Sequence, residues 1–410
     1  MVLMRSSRLT AGVRQLPRST RLVQRPHQTS SSSSSSVSDT PSATVTPLYP
    51  HSSLYSYSLG LSYASKDSPP FIPPGQKAKP YGFLPYAQSA SSSNGSSAKE
   101  QGGPSEIGRW VEEMMDLPAG RGELKSSEKG GWAEETRDRV KKWGAGEDFF
   151  GVQNVGNDLH LNLSDGVGGW SDKADPSLFS QALCYHYANS ARHFNSSTPQ
   201  ELLHKAYKAV LDDKRVRAGG ATFVGTRLGE EGDGSFVNLG DSGYAIMRND
   251  QIKFISSPQT HFFNCPLQLS KVPPEMRQNG IIHDSPANAE VREFEVEAGD
   301  VVILFTDGLS DNLPTAHLPL LSASLNQLLS SPVNSHLTPT ERDAEYARLL
   351  ADILVGYGRM AMARTGGEDG GKGWKTPFEI EAKREVPQWK FKGGKVDDIT
   401  VMTAVVSEKD

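Results

Sequence analysis

Between residues 55 and 63 the odd positions are apolar (Tyr55, Tyr57, Leu59, Leu61 and Tyr63), while Ser56, Ser58, Gly60 and Ser62 are small or polar. A period of two predicts a strand with one face buried. The alternation recurs at Leu159, Leu161 and Leu163 and then runs into Asp165-Gly166-Val167-Gly168-Gly169-Trp170. Strand formers return at Phe236-Val237-Asn238-Leu239, and Val301-Val302-Ile303-Leu304-Phe305 is apolar without a break. A last strand is predicted over 399–406, and strands dominate 221–255, interrupted at 229–234 and at Asn249-Asp250.

Other segments carry helical spacing. Ile107, Trp110, Val111, Met114 and Met115 share one face of a predicted helix over 105–117, and a more polar helix is expected over 132–143. Asp175-Pro176 supplies an N-cap and a first-turn proline ahead of Leu178, Phe179, Ala182 and Leu183. Thr198-Pro199-Gln200-Glu201 reads as a capping box before Leu202, Leu203, Ala206, Tyr207 and Val210. Further helices are predicted over 318–329 and 340–364. Helices clustered between runs of strands indicate an α+β domain and not alternating βαβ units. The stretch 69–103, rich in Pro, Ser and Gly, breaks this order, and 66–140 as a whole reads as an irregular insertion.

Acids stand where the strands end. Asp165 closes one, Asp241 follows another, Asp307 and Asp311 follow Val301–Thr306, Asp397-Asp398 precede the last, and Glu147-Asp148 adjoin Phe149-Phe150. Any one of them alone reads as a turn cap. As a set they would converge on one rim of a sheet, where neighbouring carboxylates repel by roughly 4 kcal/mol at a surface-like dielectric. Convergence therefore predicts bound cations. Glycine directly after the acid lets the main chain approach an ion closely. Oxygen donors, with no Cys/His set at ligand spacing, point to Mg²⁺ or Mn²⁺ over Zn²⁺.

Composition narrows the class. The 410 residues carry a formal net charge of -5, which argues against a nucleic-acid or anionic-membrane binder. Cys184 and Cys265 are the only cysteines, so no disulfide framework is expected, and neither lies in a nucleophile motif. No run reaches the length of a membrane span. Arginines at positions 5, 8, 14, 18, 21 and 25, with no acid before Asp39, give residues 1–38 the make-up of a mitochondrial transit peptide.

In order and type the motifs resemble those of the metal-dependent serine/threonine phosphatases of type 2C, and among these the mitochondrial branch. The matching residues are Glu147-Asp148, Asp165 to Trp170, Gly220-Ala221-Thr222, Asn238-Leu239-Gly240-Asp241-Ser242-Gly243, Gln259 to Leu269, Thr306 to Asn312 and Gly394 to Val401. They span about 143–406, with one further strand near Tyr57. The resemblance implies two packed antiparallel sheets flanked by helices on both faces. Together with the composition of the start of the chain, this gives a domain plan of transit peptide and Ser-rich linker over 1–45 and catalytic domain over 46–410. The resemblance also implies hydrolysis of phosphoserine and phosphothreonine on mitochondrial matrix proteins, by in-line attack of a water bridging two Mn²⁺ or Mg²⁺ ions.

Carried over residue by residue, Asp165, Asp307 and Asp397 would be the catalytic acids. Asp165 would bridge both ions, the Gly166 carbonyl would complete the first site, and Asp307 and Asp397 would hold the second. Glu147 and Asp148 would act mostly through water, and Asp241, Asp307 and Asp311 would form a weaker third site. Lys142 lies near where many relatives carry a phosphate-binding arginine, without a residue-for-residue match. Val167 replaces the histidine that acts as presumed proton donor in relatives of the cytosolic type, and Asp398 replaces a common asparagine. Phosphorylated mitochondrial proteins would be the partners, with no nucleic acid, and the chain would work as a monomer. A catalytically inactive scaffold that binds phosphoproteins is the alternative; retention of Asp165, Asp307 and Asp397 together argues for catalysis. No twelve-residue acidic calcium loop is apparent.

Overall fold

Two five-stranded antiparallel sheets meet face to face, and the strands that were legible as alternating or apolar runs lie in them. The computed structural model describes residues 54–71, 106–117, 144–171, 173–277, 281–365 and 373–409. The leader over 1–45, most of the 66–140 insertion and the polar helix expected over 132–143 lie outside the described residues. The strands are β1 (Tyr55–Ala64), β2 (Asp148–Val155), β3 (Asp158–Asp165), β4 (Gly219–Ala221), β5 (Phe223–Leu228), β6 (Asp233–Leu239) and β7 (Gly243–Arg248). They continue with β8 (Gln251–Ile255), β9 (Thr260–Phe262), β10 (Cys265–Pro266), β11 (Leu269–Lys271), β12 (Glu290–Glu295), β13 (Val301–Phe305) and β14 (Ile399–Glu408). The helices are α1 (Glu106–Asp116), α2 (Pro176–His193), α3 (Pro199–Asp212), α4 (Asp307–Ser310), α5 (His317–Leu329), α6 (Pro339–Met362) and α7 (Pro377–Glu385).

One sheet has the order β1-β14-β13-β7-β8 and the other β12-β6-β5-β3-β2. The unbroken apolar run of β13 follows from its place inside the first sheet, buried on both faces. Val302 and Leu304 point into a cluster shared with Met402, Ala404 and Val406 and with Phe150, Leu161, Leu163 and Phe223 of the second sheet. Val301, Ile303 and Phe305 point the other way, to Ile399, Val401 and Val405, Leu325 of α5 and Leu350 and Leu354 of α6. Helices α2 and α3 cover the outer face of the second sheet through Phe179, Leu183, Leu202 and Leu203. The layers are therefore helix, sheet, sheet, helix, in the α+β arrangement that the patterning predicts.

Local chemistry sets the helix ends. Asp175 accepts from the Ser177 amide at 3.0 Å, with Pro176 in the first turn. The Thr198 box is closed in both directions, Glu201 N to Thr198 Oγ1 at 3.3 Å and Thr198 N to Glu201 Oε2 at 3.0 Å. Each such cap satisfies amides that the helix itself leaves free. Helix α6 begins at Pro339 behind a Thr338 to Glu341 box and ends at Met362, two residues short of the expected 364. The α7 helix has no sequence counterpart in the pattern, because Phe378 and Ala382 are its only buried apolar side chains beyond the leading proline's turn.

Candidate active site

Packing draws the first acids inward. Phe149 and Phe150 are buried and stacked at 5.1 Å between ring centroids, so Asp148, which precedes them, enters the interior and is fully buried. The β2–β3 register sets Asp148 opposite Asp165. Its Oδ2 accepts from Thr306 Oγ1 at 3.0 Å and from Thr400 Oγ1 at 2.8 Å, which couples β2 to the ends of β13 and β14.

Backbone bonds fix the turn after Asp165. The Thr222 amide donates to the Asp165 carbonyl at 2.9 Å, the Gly166 amide to the Glu147 carbonyl at 3.1 Å, and the Val167 amide to the Gly220 carbonyl at 2.9 Å. Thr222 Oγ1 accepts from the Asp165 amide at 3.2 Å and pairs with Ser242 Oγ at 2.7 Å, so the Asp241-Ser242 turn is tied to the same point. Gly308 is required by contact: a Cβ there would lie 1.9 Å from the Asp398 carbonyl oxygen. That approach brings the start of α4, with Asp307, against the start of β14.

Asp398 organises the rim. Its carboxylate accepts from the Lys66 amide at 2.7 Å and the Glu147 amide at 2.9 Å, and its own amide donates to Asp397 Oδ1 at 3.0 Å. Three distant segments thus meet on one side chain. Gly146, with φ +72, leaves the room this needs, since a Cβ there would lie 2.0 Å from Asp398 Oδ1.

Two lysines that the motif reading did not single out stand among the acids. Lys395 Nζ lies 2.6 Å from Asp307 Oδ2, 2.8 Å from Asp311 Oδ2 and 3.0 Å from Asp397 Oδ2. Lys66 Nζ lies 2.8 Å from Glu147 Oε2, 3.1 Å from Asp398 Oδ2 and 3.7 Å from Asp397 Oδ1. Lys66 lies two residues past the end of β1, and Lys395 precedes Asp397 by two residues. For Lys395 a cation that close to a predicted acidic ligand is the available signal; Lys66 has none. Ser171 Oγ also donates to Glu147 Oε1, at 3.1 Å.

The electrostatics record how tightly the acids gather. Burial, and then the charges of Asp148, Asp307, Asp397 and Asp241, push the Asp165 carboxyl well above its ordinary value. Burial and Asp398 do the same to Asp148, and burial and Asp307 to Asp241. Burial raises Asp311 to about 7 against the pull of Lys395, and raises Asp398 to about 6 against that of Lys66. Burial works against the Asp397 carboxylate too, yet Lys395 and Lys66 hold it below the usual range.

All the acids named from the sequence, Glu147, Asp148, Asp165, Asp241, Asp307, Asp311 and Asp397, are linked by these contacts and charges, with Gly166 in the turn between them. Lys142 lies outside the described residues. Val167 is half-buried and contributes its amide to the turn, with no side-chain proton to offer.

The donor set fits a hard divalent cation. Asp148 Oδ1 and Asp307 Oδ1 are buried without a hydrogen-bond partner among the described residues, and the candidate ligand atoms of the gathered acids are all oxygen. Among the described residues no three His, Cys, Asp or Glu side chains already form a ligand shell around one point. Among the described residues, too, no helix is long and apolar enough to cross a membrane.

The sequence model of the family described as Protein phosphatase 2C matches residues 147–340. The "Protein phosphatase 2C homolog 7, mitochondrial" of Saccharomyces cerevisiae is 30% identical over 239 residues, 53% of this chain and 70% of that protein. The "Protein phosphatase PTC7 homolog" of Homo sapiens is 31% identical over 288 residues, 68% of this chain and 86% of that protein. Among solved structures, the photosystem II phosphatase PBCP has 27% sequence identity and a TM-score of 0.48, covering 63% of this chain and 91% of its own. With the acids, the sheet order and these relatives in hand, the chain belongs to the protein phosphatase 2C family: it is a metal-dependent protein serine/threonine phosphatase, of the branch whose yeast member is named mitochondrial.

Proposed function

We propose that this phosphatase removes phosphate from phosphoserine and phosphothreonine of mitochondrial matrix proteins, at the rim where Asp165, Asp307 and Asp397 meet. The observation that carries this is the buried pair of unpartnered oxygens, Asp148 Oδ1 and Asp307 Oδ1, in a group of carboxylates that repel one another. Asp165, Gly166, Asp307 and Asp397 would hold two Mg²⁺ or Mn²⁺ ions, with Glu147 and Asp148 behind them. Such ions supply Lewis-acid charge and ready a water for in-line attack on phosphorus. Asp148 is kept from turning by two threonine hydroxyls, and Asp398 keeps the Glu147 turn and Lys66 in register with Asp397. Of the two lysines, Lys66 is the more open, its side chain 30% exposed against 16% for Lys395, and it is the one we assign to the substrate phosphate in place of Lys142.

The arginine-rich, acid-free start of the chain and the name of the yeast relative support a mitochondrial address. We assign residues 1–45 to a leader and linker, and 46–410 to the catalytic domain with its 66–140 insertion. Hydrolysis of a phosphoserine peptide by the full chain, with and without Mn²⁺ and alongside Asp307→Asn, tests the catalytic reading. Turnover that needs the ion and drops about 10²–10³-fold in the variant is expected. Peptide binding without turnover at any Mn²⁺ concentration would favour the scaffold instead. A reporter carrying residues 1–45 that stays in the cytosol would reject the address.

A further inference from the structure

We propose that Lys395 is the resident cation of the outer subsite bounded by Asp241, Asp307 and Asp311, so that the chain takes up two divalent ions and has no third place for one. The inference rests on the two-ion reading above and departs from the third site that the motifs suggested. Lys395 Nζ is within 3.0 Å of three carboxylate oxygens, one each from Asp307, Asp311 and Asp397. Contacts this short between an ammonium and carboxylate oxygens are the strong class of hydrogen bond.

The lysine is built in. Asn312 grips its backbone from both sides: Oδ1 accepts from the Lys395 amide at 3.0 Å, and Nδ2 donates to the Lys395 carbonyl at 2.9 Å. The same Nδ2 donates to the Gly308 carbonyl at 3.0 Å. Asn312 follows Asp311 directly, so the acidic turn and the lysine stem move as one piece. Across from the acids the ammonium faces the Phe378 ring, 5.3 Å from its centroid, and the Phe378 amide donates to the Asp311 carbonyl at 3.0 Å. An aromatic face stabilises an ammonium and offers no oxygen ligand to a divalent ion. Asp307 divides its two oxygens accordingly: Oδ2 binds the lysine, while Oδ1 has no partner among the described residues and remains available to an ion.

The test is ion stoichiometry in the full chain, read by native mass spectrometry and by electron paramagnetic resonance of bound Mn²⁺. Lys395→Met keeps the length of the stem and removes the charge; Lys395→Arg keeps the charge. Two ions are expected for the wild type and for Lys395→Arg, and three for Lys395→Met. Asp311→Asn should leave the wild-type count at two and return the Lys395→Met count from three to two. A wild-type chain that binds a third ion and loses it on Asp311→Asn overturns the proposal, as does a Lys395→Met chain that stays at two. Should Lys395→Met fail to fold, the Asp311→Asn count in the otherwise wild-type chain still decides. A wild-type chain that binds no Mn²⁺ would instead defeat the two-ion reading itself.

Discussion

The two sheets bring carboxylates to the same rim and hold them by different means. On the β2–β3 side no lysine contacts Asp148 or Asp165 among the described residues: the hydroxyls of Thr306 and Thr400 donate to the Asp148 carboxylate, and Thr222 fixes the Asp165 backbone, its amide donating to the Asp165 carbonyl and its hydroxyl accepting from the Asp165 amide. On the β13–β14 side Asp307, Asp311 and Asp397 share the ammonium of Lys395, and Asp397 also lies by Lys66. Burial and mutual repulsion push Asp148 and Asp165 up, whereas the lysines bring Asp397 down. Built-in ammonium groups thus offset part of the charge on the β13–β14 side, most fully at Asp397, while burial still raises Asp311 to about 7 and Asp241 well above its ordinary value. Asp148 and Asp165 have no ammonium in contact among the described residues.

The largest effect expected from this asymmetry is that two isosteric substitutions, both harmful to catalysis, move the stability of the metal-free protein in opposite directions. Asp165→Asn and Asp397→Asn should each lower phosphopeptide turnover by about 10²–10³-fold. In excess chelator at pH 7.5, Asp165→Asn should melt higher than wild type. The Asp165 carboxyl titrates above its unfolded value of about 3.9, so the folded chain holds the extra proton in that window and loses stability as pH rises through it. An amide removes that loss. Asp397 is shifted the other way and stabilises above the unfolded value, so its amide should cost about 1–3 kcal/mol by leaving Lys395 and Lys66 short of a partner. If both variants shift the melting temperature with the same sign, the two halves do not differ as described.

A control from off the rim sharpens the comparison. His160, in the middle of β3, is fully buried, and neither ring nitrogen has a partner among the described residues. Burial lowers it to about 4, Asp158 opposes that shift and Arg227 adds to it. Its unfolded value is near 6.5, so the unfolded chain binds the proton first; the stability tied to the neutral ring is complete above about pH 6.5 and is lost as pH falls toward 4. The loss should reach at most about 3 kcal/mol. Raised rim carboxylates act with the opposite sign over falling pH. Urea midpoints of wild type and His160→Leu in chelator, from pH 7 to 4.5, separate the two: the variant should lose the acid-limb decline and keep the rim's contribution. A decline of unchanged slope in the variant would assign it elsewhere.

The difference between the halves also marks what could be read from the chain. Strands β1, β3, β13 and β14 were legible because their side chains alternate or are buried on both faces, and α2 and α3 because Asp175, Thr198 and Glu201 announce their starts. The acids were legible because each ends or begins a strand. The lysines were not, since their role depends on β1, β14 and α4 meeting: Lys395 and Asp307 are 88 residues apart, and Lys66 and Asp398 are 332 apart. Short elements show less. β4 is Gly-Gly-Ala, with almost no side chain to show a period, and only the Gly220-Ala221-Thr222 motif marks a strand start there; β9 is three exposed residues. Lys142 stands near Glu147 only along the sequence, whereas the cation beside the Glu147 carboxylate, Lys66, arrives from just past β1.

The smallest of these effects concerns how the β2–β3 side is held together. Thr400 Oγ1 reaches Asp148 Oδ2 at 2.8 Å while the Thr400 amide donates to Thr306 Oγ1 at 3.0 Å, so the two hydroxyls form one chain that fixes the carboxylate's rotation. Thr400→Val has nearly the same shape and removes one donor without touching Asp165, Asp307 or Asp397. Groups that orient ligand carboxylates in this way are typically worth about 10–100-fold in metal affinity. The Mn²⁺ concentration for half-maximal binding, followed by electron paramagnetic resonance, should rise within that range, with turnover at saturating Mn²⁺ changing far less. Lys66→Met should do the reverse, raising KM for phosphopeptide while leaving Mn²⁺ affinity nearly unchanged, because Asp397 keeps Lys395, Asp398 keeps the Glu147 and residue-66 amides, and Glu147 keeps the Ser171 hydroxyl. If Thr400→Val leaves Mn²⁺ affinity unaltered, the hydroxyls merely satisfy a buried acid, and the orientation of Asp148 plays no part in holding the ions.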